Sequence, residues 1–451
     1  MNLPAAVEHV VFLAQATGEA VALNGADTAW LMASTALVLL MTVALGFFYG
    51  GLARGKNMLN TLMMSFASLG VVGVLWALLG YSLAFAPGNG FVGGLRYAGL
   101  NGVGLEGGSW GATPHLLFMA YQGTFAIITA ALISGAVVER MRFGPYLAFI
   151  AAWSLVVYAP VAHWVWGKGW LGGLGALDYA GGTVVHVNAG VAAVVAAVVV
   201  GQRKDYGRQA LIPHDVTYVL LGAGLLWFGW FGFNAGSALA ANAAAALAFV
   251  NTLLAPAATL VVWMALDAAR LKKVTAVGAA TGIVVGLVAI TPAAGFVGPT
   301  EALMLGAVAA FPSYFAIGYR SRTRLDDSLD VFSAHGLGGI FGALLTGVFA
   351  SAAWGGTNGL LHGAPAQLGK QALAVAASGA YSGVATLLIL KAIALVSPLR
   401  EAARGQGVGM DVVQHGEEAY AHGEGALLVQ AEPVARPWPH AERRSTPREA
   451  A

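Results

Sequence analysis

His186 and His335 are the side chains best suited to proton chemistry in this chain, because each lies within a long apolar stretch. Neutral imidazole carries one donor and one acceptor nitrogen, so two rings can share a proton and still offer positions to a passing solute. An ionisable side chain inside a bilayer is costly, usually faces a cavity or partner, and is a functional-site candidate by default. The two histidines fall in the fifth apolar segment of each half of the chain, and that matched placement implies passage of something small and polar. A metal site is the competing reading of paired histidines. Two ligands without a nearby Cys or carboxylate cluster fall short of the three or four that zinc uses, so no metal and no cofactor are expected.

The elements that carry these residues follow from composition. The chain has 451 residues, 58% hydrophobic and 10% charged. A soluble domain carries about 25% charged residues, so this surface suits lipid rather than water. The 62 glycines fit close helix packing in a membrane. A net charge of +2 gives no argument for nucleic acid, and the lack of cysteine excludes disulfides and thiolate metal sites. Gly50, Gly55 and Lys56 mimic a phosphate-binding loop. Asn57 stands where Ser or Thr would hold magnesium and no strand precedes it, so nucleotide binding is discarded.

A span needs roughly 20 apolar residues. Eleven stretches qualify: 29–48, 61–86, 116–138, 146–166, 182–200, 216–235, 243–266, 275–293, 301–319, 331–350 and 371–396. Their length and continuity predict helices, not the alternating strands of a barrel. The fold expected is an all-α polytopic membrane protein of eleven helices. Arg54 and Lys56, Arg140 and Arg142, Arg203, Lys204 and Arg208, Arg270, Lys272 and Lys273, and Arg320, Arg322 and Arg324 follow alternate spans, whereas the opposite loops hold only Arg96, Lys168 and Lys370. This bias predicts the N-terminus outside and the C-terminus inside.

Spans 1–5 and 6–10 make two sets of five. Because five is odd, the second set must be inserted upside down, and such inverted repeats place a pathway at their interface. Each histidine stands near the start of its helix, His335 shortly after Asp330. Counting at 1.5 Å per residue leaves the two ~10 Å apart in depth, so contact between them requires the helix starts to be sunk or tilted. Three regions are expected: an extra-cytoplasmic leader over 1–26, which has no Lys or Arg, a membrane domain over 27–399, and a cytoplasmic tail over 400–451 whose Pro-rich end, 431–451, reads as disordered.

The surrounding strings are specific. Residues 178–190 read DYAGGTVVHVNAG, 121–125 read YQGTF, 230–237 read WFGFNAGS, and 330–336 read DVFSAHG. From about Asp27 to Tyr420 the chain resembles the ammonium transporter family (the Amt/Mep/Rh group), in its Amt branch. The resemblance implies a plasma-membrane ammonium transporter rather than an enzyme. Phe125, Trp166 and Ser237 match the family's outer ammonium recruitment site, with Tyr121 where Phe is common. Aromatic faces attract a cation by roughly 0.5–2 kcal/mol, and a Ser oxygen can accept an N–H that potassium lacks. Phe125 and Phe233 match its stacked gate, and His186 and His335 its twin-histidine pore, where an apolar wall disfavours imidazolium. The implied mechanism is deprotonation of ammonium, conduction of ammonia and separate proton transfer, an electrogenic cycle. Asp178 matches an essential Asp, read as architectural and electrostatic at a helix start. Gly409, Asp411, His415, Gly416, Glu417 and Tyr420 match a regulatory tail; a homotrimer and a PII-type partner on the cytoplasmic face are implied likewise.

Blander readings stand beside these. His163 reads as structural, at a helix end near the outer interface. Trp164 and Trp170 read as an interfacial aromatic belt, and the aromatics of 226–233 as packing, Phe233 and Trp230 excepted. Lys391 reads as snorkelling to the inner interface. Two other functions remain open. One is an ammonium sensor signalling to a cytoplasmic partner, for which a tail of about 50 residues is short of a typical domain. The other is a passive Rh-type channel for ammonia or carbon dioxide, which would need no cation site.

Overall fold

The computed structural model describes residues 22–108 and 110–420. Most of the expected leader and the Pro-rich stretch at 431–451 therefore lie outside the described residues. In chain order the main helices are α1 (Gly25–Leu52), α2 (Gly55–Phe85), α3 (His115–Ser134), α4 (Phe143–Leu174), α5 (Gly182–Val200), α6 (Val216–Ala238), α7 (Ala243–Leu271), the shorter α8 (Ala276–Ile290), α9 (Pro299–Arg320), α10 (Phe332–Phe349) and α11 (Ala366–Val396). Ten of them, all but α8, are long and apolar enough to cross a membrane. Among the described residues the strands amount to one small antiparallel pair, Gly107–Gly108 with Gly111–Pro114.

The two halves start alike. Asn24 caps α1 by accepting from the N–H groups of Ala26 and Asp27, and Asp215 caps α6 by accepting from those of Thr217 and Tyr218. Each cap satisfies donors that a helix start leaves free. α1 and α6 make the most extensive helix contact in the molecule. Glycine permits it: a Cβ on Gly222 would collide with the backbone of Phe48.

The expected helix over 275–293 is shortened to Ala276–Ile290, 15 residues. Pro292 lacks the N–H that would continue it. The chain then turns through buried residues to Val297, and Asn251 Nδ2 donates to the carbonyls of Ala294 and Val297, both at 2.9 Å. Irregular backbone is tolerated at such depth where protein groups satisfy it. The third span likewise stops at Ser134 instead of 138.

One face gathers the loops after α1, α3, α5 and α9. Glu139 bridges Arg54 (2.9 Å) and Arg203 (3.2 Å), and Arg203 pairs with Asp326 (2.8 Å). Arg140, fully buried, donates to the carbonyls of Gly201 and Asp326 and to Ser328 Oγ. Burial pushes the Glu139 carboxyl up, but Arg203 and Arg54 more than offset it and hold it below the ordinary carboxylate value. The tail returns to this same face as two short helices, α12 (Ala403–Val408) and α13 (Met410–His415).

Candidate functional site

The depth mismatch between the two histidines is resolved at the helix starts. α5 and α10 both open with a wide, π-helical turn, Gly182–Val187 and Phe332–Gly336, and each histidine sits in that turn. Both turns are sunk into the protein and capped from behind by a buried carboxylate. Asp178 accepts from the backbone N–H groups of Gly181 and Gly182 (both 2.7 Å), Thr183 (2.8 Å) and Val184 (3.0 Å). Asp327 accepts from Val331 (3.1 Å) and Phe332 (2.8 Å). These are the unpaired donors of a helix N-terminus, where a carboxylate is most favourable. Asp330, just before the tenth span, stands in the left-handed region (φ 57°) and pairs with Arg320. Asp327 does the capping.

Where the turns cross, a glycine is required. A Cβ on Gly190 would collide with the backbone of Gly336. This approach brings His186 Nδ1 to 3.4 Å from His335 Nδ1, with ring centroids 5.4 Å apart and planes 21° from parallel. A shared Nδ1 proton makes one ring the donor. In the neutral pair that ring then offers Nε2 as an acceptor, and its partner carries Nε2–H. His186 Nε2 is buried with no protein partner. It borders a lumen of about 10 Å³, room for roughly one water-sized solute, walled by Met41, Leu45, Ile128, Leu132 and Leu226.

Aromatic rings seal the lumen on the side of Asp178. Phe125 and Phe233 stack at 4.2 Å and 26°, each 1% exposed. Phe233 stands 6.1 Å from the His186 ring, and Trp230 lies nearly parallel to that imidazole at 5.5 Å. The Trp230 indole is fixed by donating to Thr291 Oγ1 (2.8 Å). Beyond the stacked pair, Trp166 meets Phe125 edge-on at 6.0 Å, its indole N–H donating to the Asp178 carbonyl (2.9 Å). Ser237, half-buried in the tighter last turn of α6, donates to the Phe233 carbonyl (2.8 Å) and lies 3.2 Å from the Tyr121 hydroxyl. Opposite the gate, His335 borders a cavity of about 930 Å³ that also touches Asp330, Asp267 and Arg270 and extends to Arg203 and Tyr206 of the loop cluster. Among the described residues no group of three or more His, Cys, Asp or Glu side chains could hold a metal ion.

The tail residues singled out by sequence also converge. Asp411 accepts from the N–H groups of Leu59 (3.0 Å) and Asn60 (2.7 Å) near the start of α2. His415 Nε2 contacts Asn60 Nδ2 (2.9 Å), and Tyr420 meets His214 (2.9 Å). Gly409 and Gly416 take φ of 134° and 71°, and Glu417 is exposed. Burial pulls the His415 imidazole below its ordinary value of 6.5.

Two residues given blander readings are held by the protein itself. Trp164 is 7% exposed, donates to the Phe91 carbonyl (2.8 Å) and packs on Tyr381. His163 stands in the last turn before the helix breaks at Trp166, as a structural residue, 2% exposed between the carbonyls of Ala84 and Asn89 (2.8 Å each). Asp327 was missed altogether. Its signal was available, since Asp178 and Asp327 stand at the same spacing before their histidines.

A multi-pass helical membrane protein with two sunken helix starts meeting at a ring-sealed lumen falls in the class of membrane transport proteins. Its family is Ammonium Transporter Family, whose model matches residues 29–420, and the chain belongs to it. The Bacillus subtilis "Ammonium transporter" is 47% identical over 398 residues, covering 87% of this chain and 98% of that one. The crystal structure of Saccharomyces cerevisiae Mep2 superposes with a TM-score of 0.79 at 37% identity, over 85% of this chain and 88% of that one. A solved "Sensor Amt Protein" gives 0.81 at 29% identity, over 86% and 98%.

Proposed function

We propose that the chain takes up ammonium across the plasma membrane through the lumen between α5 and α10. The observation that carries this reading is the order of groups along one line. A cup formed by Trp166, Phe125 and Ser237 is followed by the Phe125–Phe233 stack and then by imidazoles 3.4 Å apart in an apolar wall. The cup suits a cation with N–H bonds, through ring faces and a hydroxyl acceptor. The stack and the apolar wall exclude a hydrated ion, so the solute sheds a proton before it enters and crosses as ammonia. The imidazole pair accepts and passes the proton separately, and the cycle carries charge. Two rings this close cannot both be imidazolium, which suits them to relay one proton at a time.

The same reading takes eleven crossings, with α8 and its following turns as the eighth, the N-terminus outside and the loop face cytoplasmic. Three copies assemble with one lumen each. Residues 400–420 form a regulatory tail, and the vestibule beside His335 receives the solute and is open to a PII-type partner. Electrophysiology on proteoliposomes tests it: ammonium pulses should give current, equimolar potassium none, and His186→Ala should lower the ammonium current at least about tenfold. Uptake of labelled solute without current would remove the charged step.

A sensor role is the second reading, favoured by the likeness to the "Sensor Amt Protein" structure. A transport-dead variant that still alters a cytoplasmic partner's binding would select it. For a passive gas channel, replacing both Trp166 and Ser237 with Leu should leave flux intact; the cup predicts that it falls.

A further inference from the structure

Tyr121 is fully buried at the second turn of α3, and its hydroxyl reaches across to the C-terminus of α6. It lies 2.9 Å from the Gly232 carbonyl, 3.0 Å from the Phe233 carbonyl and 3.2 Å from Ser237 Oγ. The phenol has one proton, and the Gly232 carbonyl, its nearest acceptor, keeps a second lone pair for it beyond the one that takes the Gly236 N–H. That proton therefore goes to the carbonyls. Ser237 Oγ in turn donates to the Phe233 carbonyl at 2.8 Å. With its only proton committed there, the serine oxygen keeps its lone pairs for an outside donor. A serine next to an empty apolar wall could rotate to other staggered positions and donate outward. The phenol closes off that freedom on one side, and Gly236 leaves the room: a Cβ there would stand 2.8 Å from the Tyr121 hydroxyl.

We infer that Tyr121 is a positioning residue that fixes Ser237 as an acceptor for the N–H bonds of the incoming cation, without touching the solute itself. It rests on the cation-cup reading above. Phenylalanine at this position keeps the ring contact with Phe125 (5.0 Å, edge-on) and loses only the hydroxyl.

The test is a double-mutant cycle in proteoliposomes with ammonium as the probe. Tyr121→Phe should raise the half-saturating ammonium concentration about 3- to 10-fold, the scale of one hydrogen bond, with the maximal rate retained. In a Ser237→Ala background the same change should add nothing. Tyr121→Leu, which also removes the hydroxyl, should show the same rise, so the test survives poor folding of either variant. An unchanged half-saturation in Tyr121→Phe overturns the inference, as does an equal rise that persists without the Ser237 hydroxyl, which would place the effect in helix packing. The wild type is measured first: if it moves no ammonium, the cup reading itself fails, a result separate from an active wild type with a silent Tyr121→Phe.

Discussion

At the scale of single residues, the two histidine-bearing turns rest on buried carboxylates. Asp178 satisfies four backbone donors at the turn that holds His186, and Asp327 satisfies two at the turn that holds His335. A buried donor left unpaired costs about 1–3 kcal/mol. Asp178→Ala is therefore expected to destabilise the protein by at least about 3 kcal/mol and abolish transport. Asp178→Asn, with one acceptor oxygen, should fall between it and the wild type, and Asp327→Ala should cost about half as much as Asp178→Ala. Thermal unfolding of the detergent-purified variants, read beside uptake, checks the ranking; equal losses for both carboxylates would contradict the count of donors. The sequence pointed to His186, His335, Phe125 and Phe233 by residue type and by family strings. Asp327 escaped because it precedes the apolar run of the tenth span, outside the string that carries His335. Only the turn geometry shows it as the cap.

At the scale of elements, two crossing points set the site. The α5–α10 crossing at Gly190 and Gly336 brings the imidazoles together. Gly190→Ala adds one methyl group where backbone already stands, and such overpacking costs typically about 1–3 kcal/mol. The helices must separate, and the Nδ1 atoms with them. The expected result is a protein that still folds but whose ammonium current drops at least about tenfold; a current within twofold of wild type would mean that the pair tolerates separation. Here the sequence placed both helices and both histidines in them, yet left the rings ~10 Å apart by counting rise alone. Rise along a helix says nothing of how deeply its first turn is set. That depth is decided by the loops and caps, Asp178 and Asp327 among them. The eighth segment ends short of its expected bound for a related reason. Its apolar run continues past Pro292, so hydrophobicity cannot see the end of the helix, whereas the missing N–H imposes one.

At the scale of the whole molecule, the loop face couples distant parts of the chain. Arg54, Glu139, Arg203 and Asp326 come from loops after α1, α3, α5 and α9 and are bonded to one another out of water. A buried ion pair is weak evidence for stability, but removing one partner leaves a charge stranded and costs about 3–5 kcal/mol. Glu139→Gln should lower the unfolding midpoint clearly, whereas Arg142→Gln, on the half-exposed pair with Glu401, should shift it little. The tail adds a pH response. His415 docks neutral against Asn60 and the Phe143 ring, with Glu417 the charged neighbour that opposes the effect of burial. Because the docked value lies below the ordinary 6.5, docking is fully supported above that pH and loses support as pH falls through it. The protection of backbone amides over residues 400–420, taken relative to the intrinsic exchange rate at each pH, should therefore fall as pH drops below about 6.5, and His415→Gln should flatten that change.

What the sequence determined by itself is the list of parts: apolar runs long enough for a bilayer, a repeat of five, a one-sided basic bias, and strings specific enough to name a family. Hydrophobic length and residue type are properties of the chain alone, so they can be read without coordinates. The tertiary structure decided how those parts meet. Arg54, Arg140 and Arg203 looked alike as topological markers, but the fold binds them into one buried network, because partners distant in sequence arrive only when the loops converge. The contact between the two imidazoles and the approach of the Tyr121 hydroxyl to Ser237 have the same origin. Each depends on distances between helices, and no spacing along a single helix encodes them.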